Sequence, residues 1–297
     1  MRLTHLALTA LTTTIVGTYG FETGAQEAGT VTAKFNATAQ PGGVVMLEVR
    51  CSCDATSASA TVFGRSEPLF RSTDHWEGLV GIDLDVRPGI YPISISVTPA
   101  GSPSIAATHD LTVVERQFPT RRLRVAPTYV DPPQSDLARI KRESAVLQSI
   151  FDNAASPRQW RGAVRAPVSE TPNSTFGARS IYNGQARSPH SGTDFSARTG
   201  TPVAAPATGM VALAEPLYFT GNTVVLDHGL GLYSVLAHLS ELRVKAGDRV
   251  QIGEVVGLVG ATGRVTGPHL HWSVRLNGAR VDPLQLMAAT KDLLAPD

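Results

Sequence analysis

A mainly β protein of more than one domain is what the sequence predicts, and three observations carry that reading. The chain has 297 residues, enough for about two domains at roughly 150 residues each. Aromatic residues are scarce at 6%, whereas Val, Thr, Gly and Pro are plentiful, which favours short strands and turns over long helices. Short runs that alternate apolar and polar residues recur along the chain between Gly and Pro. With 42% hydrophobic and 17% charged residues the chain can fill a core, which argues against wholesale disorder. The 26 Lys and Arg against 25 Asp and Glu leave a net charge of +1 with no basic run, which speaks against nucleic acid as a partner. Two cysteines cannot supply a disulfide framework, so packing must hold the fold.

The first residues, Met1-Arg2-Leu3-Thr4-His5, precede an apolar run from Leu6 to Gly17 diluted by threonines. A short basic start before roughly 7–15 apolar residues is the pattern of a secretory signal peptide. Residues 1–25 are read as that signal, with cleavage after Ala25 and with Gly20 and Ala28 as further candidate sites. The run is short of the about 20 apolar residues that a bilayer span needs, and no later stretch supplies a stable one. A secreted or periplasmic protein is the expectation.

Residues 29–115 read as an immunoglobulin-like β-sandwich, with strands expected at Thr30–Ala39, Val44–Cys51, Ala58–Phe63, Ile82–Val86 and Tyr91–Val97. The clearest is Ile93-Ser94-Ile95-Ser96-Val97, which alternates as a half-buried strand should. Cys51 and Cys53 would point the same way on a strand. The plainer reading is two small residues near a strand end, with a local disulfide as the alternative. Residues 116–159 form a linker whose Ser135-Asp136 opens a helix running to about Asn153, with Ser135 as N-cap. Residues 160–297 are a second, mostly β domain, with runs at Gly209–Ala214, Thr223–Asp227, Leu232–Leu239, Val255–Val259 and Leu270–Leu276.

Chemistry enters with the histidines. His190-Ser191-Gly192-Thr193-Asp194 offers an imidazole and a carboxylate, both good zinc ligands, and a turn through Gly192 would let them converge. In Pro268-His269-Leu270-His271-Trp272-Ser273-Val274 the two histidines share one strand face while Leu270, Trp272 and Val274 take the other. A third imidazole stands in Ala237-His238-Leu239-Ser240. A catalytic zinc has three protein ligands and an open position. His190, Asp194 and one histidine of the H-x-H pair satisfy that count. The remaining imidazoles would accept a proton from water or donate to an oxyanion.

These segments resemble the lysostaphin/LytM-type zinc metallopeptidases of bacterial cell walls. Phe176-Gly177-Ala178-Arg179, Gly200-Thr201-Pro202-Val203, Gly221-Asn222-Thr223-Val224, Asp227-His228-Gly229 and Gly247-Asp248-Arg249-Val250 follow the same order. The resemblance covers about residues 160–286. It implies an antiparallel β metallopeptidase domain with one zinc ion per chain, held by His190, Asp194 and His271, and with His238 and His269 as catalytic histidines. It further implies an endopeptidase acting on peptidoglycan peptides. Leu236 departs from the pattern, standing where relatives often carry Tyr, which would alter the groove lining. His228 is read as structural, Arg179 as groove lining or surface cation, and His75 and His109 have no assigned partner. The competing reading is a non-enzymatic regulator or scaffold of other wall hydrolases, although such members typically lack some ligands. The β-sandwich is left as a targeting module or an autoinhibitory cover, and the oligomeric state is not fixed.

Overall fold

The computed structural model describes residues 29–124, 132–153, 157–173 and 176–293. The expected signal segment, 1–25, lies outside the described residues. Two compact units divide the chain. One comprises the chain up to Ala39 with 45–80 and 87–114, and the other comprises 40–44, 81–86 and everything from Glu115 onward.

The first unit holds two sheets, the number of layers a sandwich requires. One runs Val31–Lys34, Val44–Cys51, Trp76–Gly81, Phe70–Arg71, and the other Thr38–Ala39, Ile105–Val113, Gly89–Pro99, Ala55–Val62, Arg65–Pro68. Ile93, Ile95 and Val97 are buried while Ser94 and Ser96 face outward, as the alternation predicts. Cys51 and Cys53 are joined in a disulfide, so the plainer reading of two unbridged residues is corrected. The expected single strand at Thr30–Ala39 is broken into two short strands on different sheets.

The expected strand at Ile82–Val86 does not form. Ile82 and Leu84 are buried, so the alternation is real, but it comes from packing rather than from a ladder. Ile82 exchanges two backbone bonds with Gly42 and Gly43, and Asp83 Oδ1 then accepts the Asp85 amide, which turns the chain. Within the same unit Asp83 receives the guanidinium and backbone amide of Arg280.

The sheet of the second unit is ordered Gly192–Phe195, Leu270–Leu276, Leu232–Leu242, Gly221–Gly229, Gly209–Leu217, Arg249–Val250, with further strands at Pro202–Ala204, Val255–Val259 and Ala279–Val281. All its pairings are antiparallel. Its long central hairpins arise where β-branched and aliphatic runs are separated by two or three turn residues. The helix Leu137–Phe151 belongs to this unit. Ser135 does not cap it: residues 134–136 form a 3-10 turn, and Asp136 occupies the N-cap without a side-chain bond. The helix docks through Leu147, Ile150 and Phe151 on Leu213, Leu217, Val225, Tyr233 and Val235. Tyr233 then donates to the Asn153 carbonyl, and the Tyr218 amide to Glu143. A last helix, Pro283–Thr290, is capped by Asp282, which accepts from the Leu284 amide.

Candidate functional site

The strand Gly192–Phe195 lies antiparallel to Leu270–Leu276 in a register that sets Asp194 directly opposite His271. Along the latter strand Leu270, Trp272, Val274 and Leu276 are buried in the core, so His271 points to the other face. His271 Nδ1 stands 2.8 Å from Asp194 Oδ1. His190 reaches the same point from the approach to the first strand, where its amide donates to the Ala178 carbonyl and its carbonyl accepts from Gly177. Its Nε2 is 3.1 Å from both Asp194 Oδ1 and His271 Nδ1. Convergence therefore comes from strand register and not from the expected turn, since Gly192 begins the strand.

Gly192 has a different task. A Cβ there would sit 2.5 Å from the Trp272 carbonyl oxygen and 2.7 Å from His271 Cε1, so only glycine lets the strands close over the imidazole. Gly192→Ala is expected to keep the fold but displace His271, weakening metal binding by about tenfold or more, the scale on which supporting groups of metal sites act. Competition with a fluorescent chelator would measure it, and wild-type affinity would refute it.

The three donor atoms fit a metal ion. A tetrahedral zinc with ligands at about 2.0–2.1 Å sets its donors roughly 3.3 Å apart, close to the separations seen here. Asp194 and His271 also have the protonation states that ligands need. Burial alone would raise the Asp194 carboxyl, but His190 and His271 outweigh it and hold the group far below the usual carboxylate range. Burial also lowers the basicity of His271, favouring the neutral imidazole.

His238 reaches the site through a β-bulge. From Asn222 to Val224 is two residues, whereas their partners Leu239 and Leu236 are three apart, so the strand Leu232–Leu242 carries one extra residue. His238 absorbs it with φ +64°, a left-handed conformation uncommon for a side chain of this size. Leu236 and Leu239 thus both face the core, fully buried, while His238 turns toward His269 and His271. The expected influence of Leu236 on the groove lining is corrected: it lies opposite Trp272, in the core.

The rings of His238 and His269 are 4.8 Å apart, and His269 Nε2 is 3.9 Å from Asp194 Oδ1. His238 Nδ1 donates to the Thr262 carbonyl at 2.9 Å, and His269 Nδ1 to the Gly267 carbonyl at 2.9 Å. Each ring is thereby fixed in one tautomer with Nε2 as its second nitrogen. Burial pushes the His238 pKa down to about 4, so the ring is neutral at pH 7. Sequence reasoning missed Thr262 and Gly267, because any residue can offer a carbonyl and no side-chain signal marks them.

His228 is structural, as its Gly-rich setting suggested. It is 1% exposed, with Nδ1 donating to the Thr208 carbonyl and Nε2 facing Ser234 Oγ, which also accepts from the Trp272 indole. Burial lowers its pKa from 6.5 to about 4. Between those values only the unfolded chain binds the proton, so this contribution is complete above pH 6.5 and is lost as the pH falls. The share of the slope expected from His228 is about 1.4 kcal/mol per pH unit, read by urea unfolding, and the total slope should fall by that share in His228→Gln. An unchanged slope in that variant would contradict the assignment. In the first unit, His75 is held between Asp74 and Glu77, and His109 stands edge-on to Phe35. Arg179 is exposed.

Residues 188–283 match the profile of peptidase family M23. The DD-carboxypeptidase/endopeptidase Mpg of Neisseria meningitidis serogroup B is 42% identical over 108 residues, covering 36% of this chain and 25% of that protein. The peptidoglycan DD-endopeptidase ShyA of Vibrio cholerae is 40% identical over 140 residues, 47% of this chain and 30% of that protein. The match spans under a third of the length of either relative. A crystal structure of a peptidase M23 from Pseudomonas aeruginosa is similar at TM-score 0.66 and 35% identity, over 84% of this chain and 95% of that one.

Proposed function

The chain belongs to peptidase family M23, and from that footing we propose that it is an exported, zinc-dependent endopeptidase cutting peptide bonds in bacterial peptidoglycan, in stem peptides or cross-bridges. One observation carries this: the donor atoms of His190, Asp194 and His271 converge, with two further imidazoles beside them. In this reading those three residues hold one zinc ion. When bound, zinc supplies a Lewis acid for the scissile carbonyl and lowers the pKa of water.

The chain's own residues supply the rest. With Nδ1 committed to a carbonyl, His238 and His269 take or give protons only through Nε2. His238, neutral at pH 7, begins as an acceptor and is charged only after taking a proton that the leaving amine then needs. Asp194 keeps the cluster anionic and orients both ligand imidazoles. The regulator reading gains no support from this site, where every donor and both extra imidazoles are present. No helix among the described residues is long and apolar enough to cross a membrane, and the exported location rests on residues 1–25 and on the wall substrates of the relatives.

The test is digestion of purified cell walls. The zinc-loaded protein should clear them in a chelator-sensitive way, releasing peptides whose masses identify the bond cut. Clearing by His190→Ala at the wild-type rate would sink the proposal.

A further inference from the structure

His238 sits on irregular backbone, and something in the fold must hold that backbone in place. The extra residue that it absorbs interrupts the ladder between Gly221–Gly229 and Leu232–Leu242, next to where Asn222 stands opposite Leu239. A bulge disrupts the ladder locally, and buried backbone groups that lose a partner there must find another. Here the partner is a side chain from outside both strands. Thr262 Oγ1 accepts from the Asn222 amide at 2.9 Å and donates to the Leu239 carbonyl at 2.8 Å. One hydroxyl thus bridges the two facing residues, using its proton and a lone pair at once.

Thr262 belongs to residues 261–268, a loop closed at its base by the bridge between Gly260 and His269. Its carbonyl accepts from His238 Nδ1 at 2.9 Å, and further along the loop the Gly267 carbonyl accepts from His269 Nδ1. The side chain of Thr262 therefore holds the backbone that carries His238, while its main chain holds the ring. The His238 amide is tied as well, donating to the Thr220 carbonyl at 2.8 Å. This interlock needs close approach. A Cβ on Gly221 would meet Thr262 Oγ1 at 2.3 Å, and one on Gly263 would meet the Gly221 nitrogen at 2.4 Å; both glycines have positive φ. Thr262 itself is only half-buried, so its side chain acts through two hydrogen bonds more than through packing.

Resting on the endopeptidase reading above, we infer that Thr262 is a positioning residue for His238, its hydroxyl pinning the bulge so that the imidazole presents Nε2 in one tautomer and one direction. Thr262 is not among the metal donors, and the proton chemistry stays with the histidines. Without the hydroxyl, the Asn222 amide and the Leu239 carbonyl lose the partner they share, and the loop loses its tie to the bulged strand. The Thr262 carbonyl then no longer fixes the proton on Nδ1. In the other tautomer Nε2 carries the proton and cannot accept one.

The experiment uses the zinc-loaded full chain and three variants. Thr262→Val removes the hydroxyl at nearly constant shape, Thr262→Ala removes it without adding an apolar group, and Thr262→Ser keeps it. The valine and alanine variants should lose about 10–100-fold in kcat on a wall peptide, the scale on which misplacing a reacting group acts, with KM and zinc content unchanged. Thr262→Ser should recover most of that loss. Nitrogen NMR shifts of the His238 imidazole give the second readout. They should show the proton on Nδ1 alone in the wild type and the serine variant, and mixed tautomers in the other two. Wild-type kcat in both the valine and alanine variants would overturn the inference. So would a serine variant as slow as they are, which would assign the effect to the methyl group. Zinc lost in step with the rate would overturn it too, because that is what a loop merely holding the site together would cause. Mixed tautomers in the valine variant of a protein whose wild type cuts no wall peptide would retain the positioning role and reject the endopeptidase reading. Hydrolysis by the wild type, with one tautomer and one rate in every variant, would do the reverse.

Discussion

Asp194→Asn is expected to lower hydrolysis of wall peptides on the order of 10³-fold and to strip the bound zinc, with little change in the stability of the metal-free protein. A single oxygen of this residue faces His190 Nε2 at 3.1 Å, His271 Nδ1 at 2.8 Å and His269 Nε2 at 3.9 Å. Asparagine keeps the shape but removes the only formal negative charge among the three donors. If its amide nitrogen turned inward, it would bring protons to a point where only lone pairs are wanted. Loss of a group that merely supports a ligand costs about 10–100-fold, so loss of a ligand's charge must cost more. Zinc content by atomic absorption and kcat/KM on a wall peptide are the two measurements. Wild-type zinc stoichiometry together with a wild-type rate in Asp194→Asn would rule out Asp194 as a ligand.

Much of this site is legible in the sequence because its geometry is local or periodic. The alternation in Leu270–Leu276 places His271 opposite the core side chains without any knowledge of the partner strand. Val44–Cys51 and Val255–Val259 form with the boundaries that their composition predicts. What escapes the sequence depends on distant chain. Counting alternation from Leu236 would send His238 into the core beside it, and only the extra residue against Asn222–Val224 reverses that. Ile82 and Leu84 alternate as a strand would, yet the segment bonds to Gly42, Gly43 and Arg280 and forms no ladder. Cys51 and Cys53 are bonded because the turn between them brings their Cα atoms to 5.1 Å, a distance that a flat strand would not give. The helix at Pro283–Thr290 had a local signal in Asp282-Pro283, an N-cap followed by proline at the first helical position.

Removing the two remaining imidazoles should separate binding from chemistry. His238→Ala and His269→Ala are each expected to keep zinc yet lose about 10²–10⁴-fold in kcat, the range for a positioned acid or base. Neither side chain belongs to the converging trio of donors, so metal content should not follow the rate. Their rings are 4.8 Å apart, and each is locked by a carbonyl of the same 261–268 loop, so they present Nε2 as a pair. Groups that act as a unit are strongly non-additive, and the double variant should therefore be little slower than the slower single one. A multiplicative loss would instead mean that one ring acts independently, for instance by holding the loop. Zinc loss in His269→Ala but not in His271→Ala would exchange the roles of the H-x-H pair, which sequence alternation alone leaves open. The same variants test whether the left-handed backbone at His238 serves catalysis. The bulge turns that ring away from Leu236 and Leu239 and toward His269 and His271, at a conformational cost of about 1–2 kcal/mol. His238→Asn tolerates that backbone while lacking the imidazole, so it should fold at least as well as His238→Ala and remain as inactive.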